Sequence, residues 1–512
     1  MKQRYALTNP IAPMLGKSRD DFTREDLVKV IEEKDIEKIT LHYVALDGQL
    51  KELKIPFANR YQAERILADG ERVDGSSLFK GVVDVGQSDL YVVPVYKTAF
   101  LNPFDGSSLD FVCRYLTPDG ELAPYTMDNI LLKAYRTFRR NSGLEIYALG
   151  EIEFFLVGEP ASPIFPARSQ GGYHASAPFV KSGPILDEMV RCLTQVTGAV
   201  KYAHSEVGHI ERIQSASEEL NGKQAEQMEI ELFPTPIDET GDNVVLARWL
   251  IRNIAYRHGC VATFAPKIEE GVAGNGLHFH VELMDNNHNV MSEDTGGLSL
   301  RAKRLIGGLC EYADSLTAFG NTVSSAYLRL VPNQEAPTRI CWSDMNRSAM
   351  IRVPLAWSKV SDLSLKLNPQ QKSRFQRSGN RQAVELRSPD GSALVHLLLA
   401  GMTMAADWAM EDSRSLDLAE KLYVTGDLSQ NPKLAENLPS LPASCVESSR
   451  ILLEKRHLYE RDDIFPSGVI DYIAASLAAE DDENLNKYLA DLPKETRSLE
   501  ARKAMHKDVH CH

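Results

Sequence analysis

Four short stretches of this chain place two ligand-type side chains a single residue apart: Glu151-Ile-Glu153, Glu229-Ile-Glu231, His278-Phe-His280 and Glu385-Leu-Arg387. Most lie among β-favouring residues, as in Glu151-Ile-Glu-Phe-Phe-Leu156 and Leu277-His-Phe-His-Val281. In a strand, residues i and i+2 share a face, about 6.5–7 Å apart. Each stretch therefore aims two charged or imidazole groups at one surface and packs its middle residue behind. A sheltered sheet face crowded with such groups loses hydration and suffers repulsion. Divalent cations and an anionic substrate would relieve both costs.

With 512 residues, 43% of them hydrophobic, the chain can bury a large core and is too long for one small domain. Its formal charge of −14, from 71 acids against 57 bases, leaves no basic excess to neutralise phosphates. That argues against nucleic acid as the main partner. Seven scattered cysteines without a C-x-x-C pair predict a reduced, cytoplasmic protein. The opening Met1-Lys-Gln-Arg-Tyr5 lacks the apolar segment of a secretory signal. The most apolar stretch, Ala393 to Met410, approaches membrane length but contains His396, Gly401 and Asp407, so it reads as a buried helix, with no membrane span expected.

Residues 1–20 read as a flexible leader. Thr23-Arg-Glu-Asp26 has the form of a capping box opening a helix to about Lys34. Ile39 to Leu46, then Asp47-Gly48, then Leu50 to Ile55 signal a hairpin. With strands at Leu90–Val95 and Leu109–Leu116, residues 21–125 predict a small α+β domain. From 126 to 512 a second domain is expected. Helices at 126–141 (stopping at Gly143), 184–197, 242–258 and 299–318 alternate with strands at 146–156, 200–208 and 276–283, and the chain is helical after about 391. The class is α+β. The acidic run Glu480-Asp-Asp-Glu483 reads as a solvated helix end, and His506 with Val509-His-Cys-His512 as a floppy tail.

Glu151, Glu153, Glu229 and Glu385, taken with His278, form an oxygen-rich set with imidazole that suits Mg²⁺ or Mn²⁺ better than zinc, and no cysteine neighbours them. Gly271-Val-Ala-Gly-Asn-Gly276 lets backbone N–H groups approach a ligand, although it lacks a Gly-Lys-Ser/Thr phosphate-loop ending. Arg329, Arg347, Arg352 and Arg387 offer guanidinium forks for a carboxylate and a transferring phosphoryl group. Val73-Asp-Gly-Ser-Ser77, taken alone, reads as an ordinary turn.

Together these motifs resemble the glutamine synthetase family. The resemblance rests on Asp74-Gly-Ser-Ser77, Gly150-Glu-Ile-Glu-Phe-Phe155, Ala262-Thr-Phe-Ala-Pro-Lys267, Gly276-Leu-His-Phe-His280, Arg329-Leu-Val-Pro332 with Glu335-Ala-Pro337, Asn346-Arg-Ser-Ala349 with Ile351-Arg-Val-Pro354, and Glu385-Leu-Arg-Ser-Pro-Asp390, in order and in spacing. It implies an N-terminal β-grasp domain, a catalytic domain with a curved antiparallel sheet, and a homo-oligomer of the dodecameric type, two hexameric rings with active sites between subunits. It also implies ATP as substrate and two or three Mg²⁺ or Mn²⁺ per site. Matching positions make Glu153, Glu229 and Glu206 ligands of a first metal, and Glu151, His278 and Glu385 ligands of a second. Arg329, Arg387 and Gly274 would hold glutamate. Arg347, Arg352 and His280 would face the nucleotide, and Glu335 would close the site. Asp74 from the adjacent subunit, with Tyr173, would receive ammonium.

The chain departs from the family in places. About fifteen extra residues, close to 209–223, separate Glu206 from Glu229. They are consistent with a surface loop, with a reshaped acceptor pocket, or with Glu211, Glu218 or Glu219 standing in for Glu206. Ala273, Lys201, Pro234, Glu282, Asn380 and Ala383 also differ from the family near the substrates. Three readings stay open: a glutamate–ammonia ligase, a ligase joining glutamate to a larger amine or polyamine, and a non-catalytic relative.

Overall fold

In this computed structural model the described residues run from 5 to 511, apart from 84, 85, 87, 161–163, 295, 332–335, 357–361, 376–378, 427 and 429–431. The N-terminal sheet contains β1 (Lys38–Val44), β2 (Leu50–Pro56), β3 (Glu71–Asp74), β4 (Asp89–Pro94), β5 (Phe100–Leu101) and β6 (Ser108–Leu116). Its order is β2-β1-β6-β4-β3, with β5 on β6; β1 and β6 run parallel. This is the α+β, β-grasp arrangement. The Asp47-Gly48 hairpin forms between β1 and β2 with Lys38 opposite Pro56. Thr23 caps the helix Arg24–Glu33 through the Asp26 N–H, while the Asp26 carboxylate accepts from the Thr23 N–H.

The larger half is built on ten strands: β7 (Glu145–Gly158), β8 (Val200–Ile210), β9 (Gln224–Leu232), β10 (Thr235–Pro236), β11 (Val261–Thr263), β12 (Leu277–Asp285), β13 (His288–Asn289), β14 (Trp342–Asp344), β15 (Ile351–Val353) and β16 (Val384–Leu386). The main order is β14-β15-β16-β12-β7-β9-β8. Every pair is antiparallel except β14 with β15, so the curled sheet is mixed rather than purely antiparallel. Helices cover its back. Val395–Glu411 is buried along nearly its whole length and crosses Leu300–Gly320 so closely that a Cβ at Gly308 would lie 2.2 Å from the Ala405 carbonyl oxygen. The apolar stretch is thus an internal helix, and among the described residues no helix is long and apolar enough to cross a membrane.

Helix Ile237–Arg257 starts earlier than its apolar pattern suggests. Pro236 precedes it with extended ψ, and Asp238 and Glu239 favour its N-terminus electrostatically. The two halves meet on this helix. Arg114 of β6 grips Asp242 with two hydrogen bonds, at 2.7 and 3.2 Å, and His396 lies 3.2 Å from the same carboxylate.

Three terminal and surface expectations are corrected by long-range contacts. The leader is packed from Asn9 onward: Ile11 is fully buried, and Arg19 donates to the Lys97 and Val196 carbonyls. The acidic run is anchored, since Asp482 accepts from the N–H groups of Cys445 and Val446 at a helix start. The C-terminal segment is docked. Val509 is buried, and His506 bonds the Ser215 hydroxyl and the Ile268 carbonyl, both at 2.9 Å. Of the tail, His512 lies outside the described residues.

Candidate active site

Strand register explains why the paired residues meet. Across β7 and β12, Glu151 stands opposite His278; across β7 and β9, Glu151 faces Glu231 and Glu153 faces Glu229. Across β12 and β16, His280 faces Glu385, and Arg352 of β15 also faces Glu385. The two-residue period then puts all these side chains on one face. They line a cleft of about 1830 Å³.

Glu151 is the centre of this face. Its two oxygens lie 3.1 Å from His278 Nδ1 and 2.8 Å from His280 Nε2. Glu385, fully buried, has one oxygen 2.5 Å from Arg387 Nη1 and the other 2.8 Å from Arg352 Nη1. Arg329 sits behind, donating to the Ser388 carbonyl at 2.9 Å. Gly276 N–H donates to Glu153 at 2.8 Å, and Gln227 ties the loop through the Gly274 carbonyl at 2.9 Å. Only a residue without Cβ fits at Gly274, where an added carbon would stand 2.4 Å from the Pro266 carbonyl oxygen.

The electrostatics reflect this crowding. Burial pushes the Glu229 carboxyl up to about 8, aided by Glu151 and Glu153, while His204 pulls it the other way. Burial would depress His280, but Glu151 overrides it and raises the imidazole to about 9. Glu151 is held well below the usual range despite its burial, chiefly by His280.

Three groups of candidate ligand atoms each lie within 4.8 Å of one another: Glu151–His278–Glu385, Glu151–Glu231–His280, and His204–Glu206–Glu229. The first is the expected second-metal set. The third contains the expected Glu206 and Glu229 but takes His204 as its third member, whereas Glu153 turns one oxygen to the Gly276 N–H. Glu231 Oε2 is buried without a hydrogen-bond partner among the described residues. Hard oxygen donors, imidazoles and an orphaned carboxylate oxygen fit a divalent cation of the Mg²⁺ or Mn²⁺ kind. The Nε groups of Arg352 and Arg387 are likewise buried without partners among the described residues, which fits an anionic ligand.

Tyr173, Arg347 and Gly274 also line the cleft. Tyr173 is packed at 4.3 Å on His174 and 5.4 Å from His204 by ring centroids. Asp74 does not line the cleft. It is exposed on the N-terminal domain, caps the turn Gly75–Leu78, and is lowered to about 2 by Ser76 and Ser77. Glu335 lies outside the described residues. Sequence reasoning assigned no role to His204 or Gln227. His204 shares an alternating face with Tyr202 and Glu206, a signal hidden by the register shift between Ser205 and His209.

Among the described residues, none of the insert joins these ligand groups. Glu211, Glu218 and Glu219 are exposed, while Ile213 and Leu220 bury themselves against Phe155, Val157 and Val509. At the opposite rim, Lys201 pairs with Glu231 at 2.6 Å, and Glu282 accepts from Asn289 at 3.1 Å.

Comparison with known proteins gives the same picture. The glutamine synthetase catalytic-domain model matches residues 129–489, and the glutamine synthetase β-grasp model matches 35–118. Glutamine synthetase of Thermotoga maritima is 31% identical over 395 residues, covering 75% of this chain and 80% of the relative. That of Aquifex aeolicus is 26% identical over 491 residues, covering 90% and 96%. Among solved structures, Plasmodium falciparum glutamine synthetase superposes with a TM-score of 0.69 at 20% identity, covering 93% of this chain and 98% of that one. Ligand-free GmaS gives 0.65 at 20% identity, covering 92% and 98%. These two show a shared fold.

Proposed function

Because the chain belongs to the glutamine synthetase family, and so to the carbon–nitrogen ligases, we propose that it forms glutamine from glutamate and ammonia, with ATP driving the reaction through a γ-glutamyl phosphate. The observation that carries this reading is the convergence of Glu151, His278 and Glu385 beside two arginines whose buried Nε groups have no partner among the described residues.

A carboxylate is a poor electrophile because its leaving group would be oxide, so phosphorylation must come first. Mg²⁺ or Mn²⁺ held by Glu151, His278 and Glu385, and by Glu206 and Glu229 with His204 or Glu153, would neutralise charge on the phosphate oxygens. Arg329 and Arg387, with the Gly274 backbone, hold the glutamate; Arg347 and Arg352 face the transferring phosphoryl group, and His280 the nucleotide. The resemblance assigns Glu335, which lies outside the described residues, to closing the site, which would keep water from the acyl phosphate. Asp74 of a neighbouring subunit completes the acceptor pocket beside Tyr173, in a homo-oligomer of the dodecameric kind. The Asp74 carboxylate attracts ammonium as a cation and accepts one proton from it, freeing the electron pair with which ammonia then attacks the acyl phosphate and displaces phosphate.

A second reading has its own support. Tyr173, His174, Tyr202 and His204 stack into one ring wall beside Glu206 and Glu229. Such a wall suits an alkylammonium acceptor through cation–π contact. Phosphate release from ATP and glutamate, measured with ammonium, ethanolamine, putrescine or spermidine, tests both. Turnover confined to an amine replaces ammonia as the acceptor, and silence with all four overturns the ligase reading.

A further inference from the structure

The catalytic-domain match ends at residue 489, and the resemblance drawn from the sequence makes the stretch near 209–223 extra relative to the family. The segment after residue 489 and this stretch touch each other. Both also touch the loop that carries Gly274.

The last helix, Lys494–His506, lies along residues 268–270. Arg502 Nε bonds both oxygens of Glu269, at 3.1 and 2.9 Å, and its Nη1 reaches Gln214 of the insert at 3.0 Å. Ser498 and Arg497 hold Glu270, at 2.7 and 3.2 Å. His506 bridges the two sides: its Nε2 donates to the Ile268 carbonyl while Nδ1 meets the Ser215 hydroxyl. Farther on, His510 bonds Glu219 at 2.8 Å. Beneath these contacts lies a separate apolar cluster. It joins Phe155 of β7, Ile213 and Leu220 of the insert, Ile268 and Val272 of the loop, and Val509 of the tail.

Residues 268–270 form the outer arm of the loop, and Gly274 and Gly276 its inner arm. The inner arm abuts Arg329 and donates to Glu153. Gln227 of β9, and Asn275 through the Thr263 carbonyl of β11, fix the inner arm to the sheet. The outer arm, by contrast, is gripped on its flank by residues 494–511 and the insert.

We propose that the C-terminal helix and tail, with the insert, form a brace that sets the position of the glycine loop at the carboxylate end of the cleft. Arg502 and His506 act as positioning residues. The consequence for glutamate rests on the function proposed above; the bracing itself does not. A planar fork on a carboxylate fixes direction as well as distance, so Arg502 is suited to this task. A misplacement of roughly 1 Å at a binding group can cost up to about 100-fold in rate, so loosening the outer arm weakens binding at the inner one.

Arg502→Gln and His506→Ala, each in the full chain, test the brace by amide hydrogen exchange and by kinetics. Faster exchange confined to 268–276, a KM for glutamate raised about tenfold with kcat within about twofold, and partial rescue by Arg502→Lys would support it. Mn²⁺ stoichiometry by electron paramagnetic resonance stays at the wild-type value. Glu269→Gln adds nothing to Arg502→Gln in a double-mutant cycle if the two act as one contact. Unchanged loop exchange, or exchange rising equally over the whole chain, overturns the proposal. If wild type releases no glutamate-dependent phosphate, the functional reading fails, and loop exchange alone still decides the brace.

Discussion

Gly274→Ala is the sharpest test of the loop geometry. The added carbon would stand 2.4 Å from the Pro266 carbonyl oxygen and 3.2 Å from Cγ and Cδ of Arg329. To reach 3.0 Å, below which such contacts are essentially never found, the first gap must open by at least 0.6 Å. Pro266 cannot yield easily, because its carbonyl accepts from the Asn275 N–H at 3.0 Å, and the Asn275 side chain is bonded to the Thr263 and Ala265 carbonyls. The displacement therefore falls on the 274 backbone and on Arg329, the two groups assigned to the substrate carboxylate. A shift of that size at a binding group predicts roughly a 10- to 100-fold rise in KM for glutamate, about 1.4–2.7 kcal/mol. Overpacking adds about 1–3 kcal/mol of lost stability.

Steady-state kinetics with glutamate, ATP and ammonium varied in turn would read the effect, with Mn²⁺ binding as an independent check that the sheet face is intact. Gly183→Ala is the control, because an added carbon there meets nothing within 4 Å. A Gly274→Ala enzyme whose KM for glutamate stays within about twofold of wild type would refute the placement of the carboxylate subsite beside Arg329.

Three further outcomes follow from named contacts. Glu151→Gln removes a carboxylate shared by two ligand groups; calorimetric titration should lose at least one Mn²⁺ per chain, and stabilisation by metal at 100 times its Kd should fall below the roughly 2.7 kcal/mol expected for an intact site. Arg114→Met leaves Asp242 and Asp128 buried without their counter-charge; urea denaturation should show a loss of about 3–5 kcal/mol, partly recovered by adding Asp242→Leu. The buried Asp508 carboxyl, facing Ser325, Lys507 and Glu480, is raised from 3.8 to about 6, so its contribution to stability is whole below pH 3.8 and is lost as pH rises through 6. Asp508→Asn should therefore exceed wild type in stability by up to about 3 kcal/mol above pH 6, the gap closing below pH 4 in thermal melts.

The legible parts of this chain are those whose signal is local. The capping box at Thr23, the Asp47-Gly48 hairpin, the Gly143 stop and the alternation at 151–153 and 278–280 each reside within a few residues. The expectations that failed lacked such a signal. A leader without periodicity, an acidic run and a His-rich tail look unanchored until their partners are known. Those partners are Lys97 and Val196, the helix start at Cys445, and Ser215 with Ile268. The mixed character of the sheet was hidden in the same way, because β14 and β15 are three residues each and their parallel pairing leaves no periodic trace.

The rim residues that depart from the family resolve into a physical statement once paired. A lysine at 201 beside an ATP site looks disruptive when considered alone. In the structure it stands 2.6 Å from Glu231, whose carboxylate is otherwise a buried negative charge next to Glu151. Removing Lys201 would leave the Glu231 carboxylate buried without its counter-charge, whereas Lys201 itself is exposed and would lose little, so the lysine stabilises the face rather than disrupting it. Glu282 follows the same logic in weaker form, since burial raises its carboxyl and the Asn289 amide offsets part of that rise. The altered rim is thus internally compensated, whereas the metal-side carboxylates around Glu229 are not: burial, with Glu151 and Glu153, drives that group to about 8. A rim that balances its own charge can drift without penalty. A face that needs cations to balance it keeps its ligands only while it binds them.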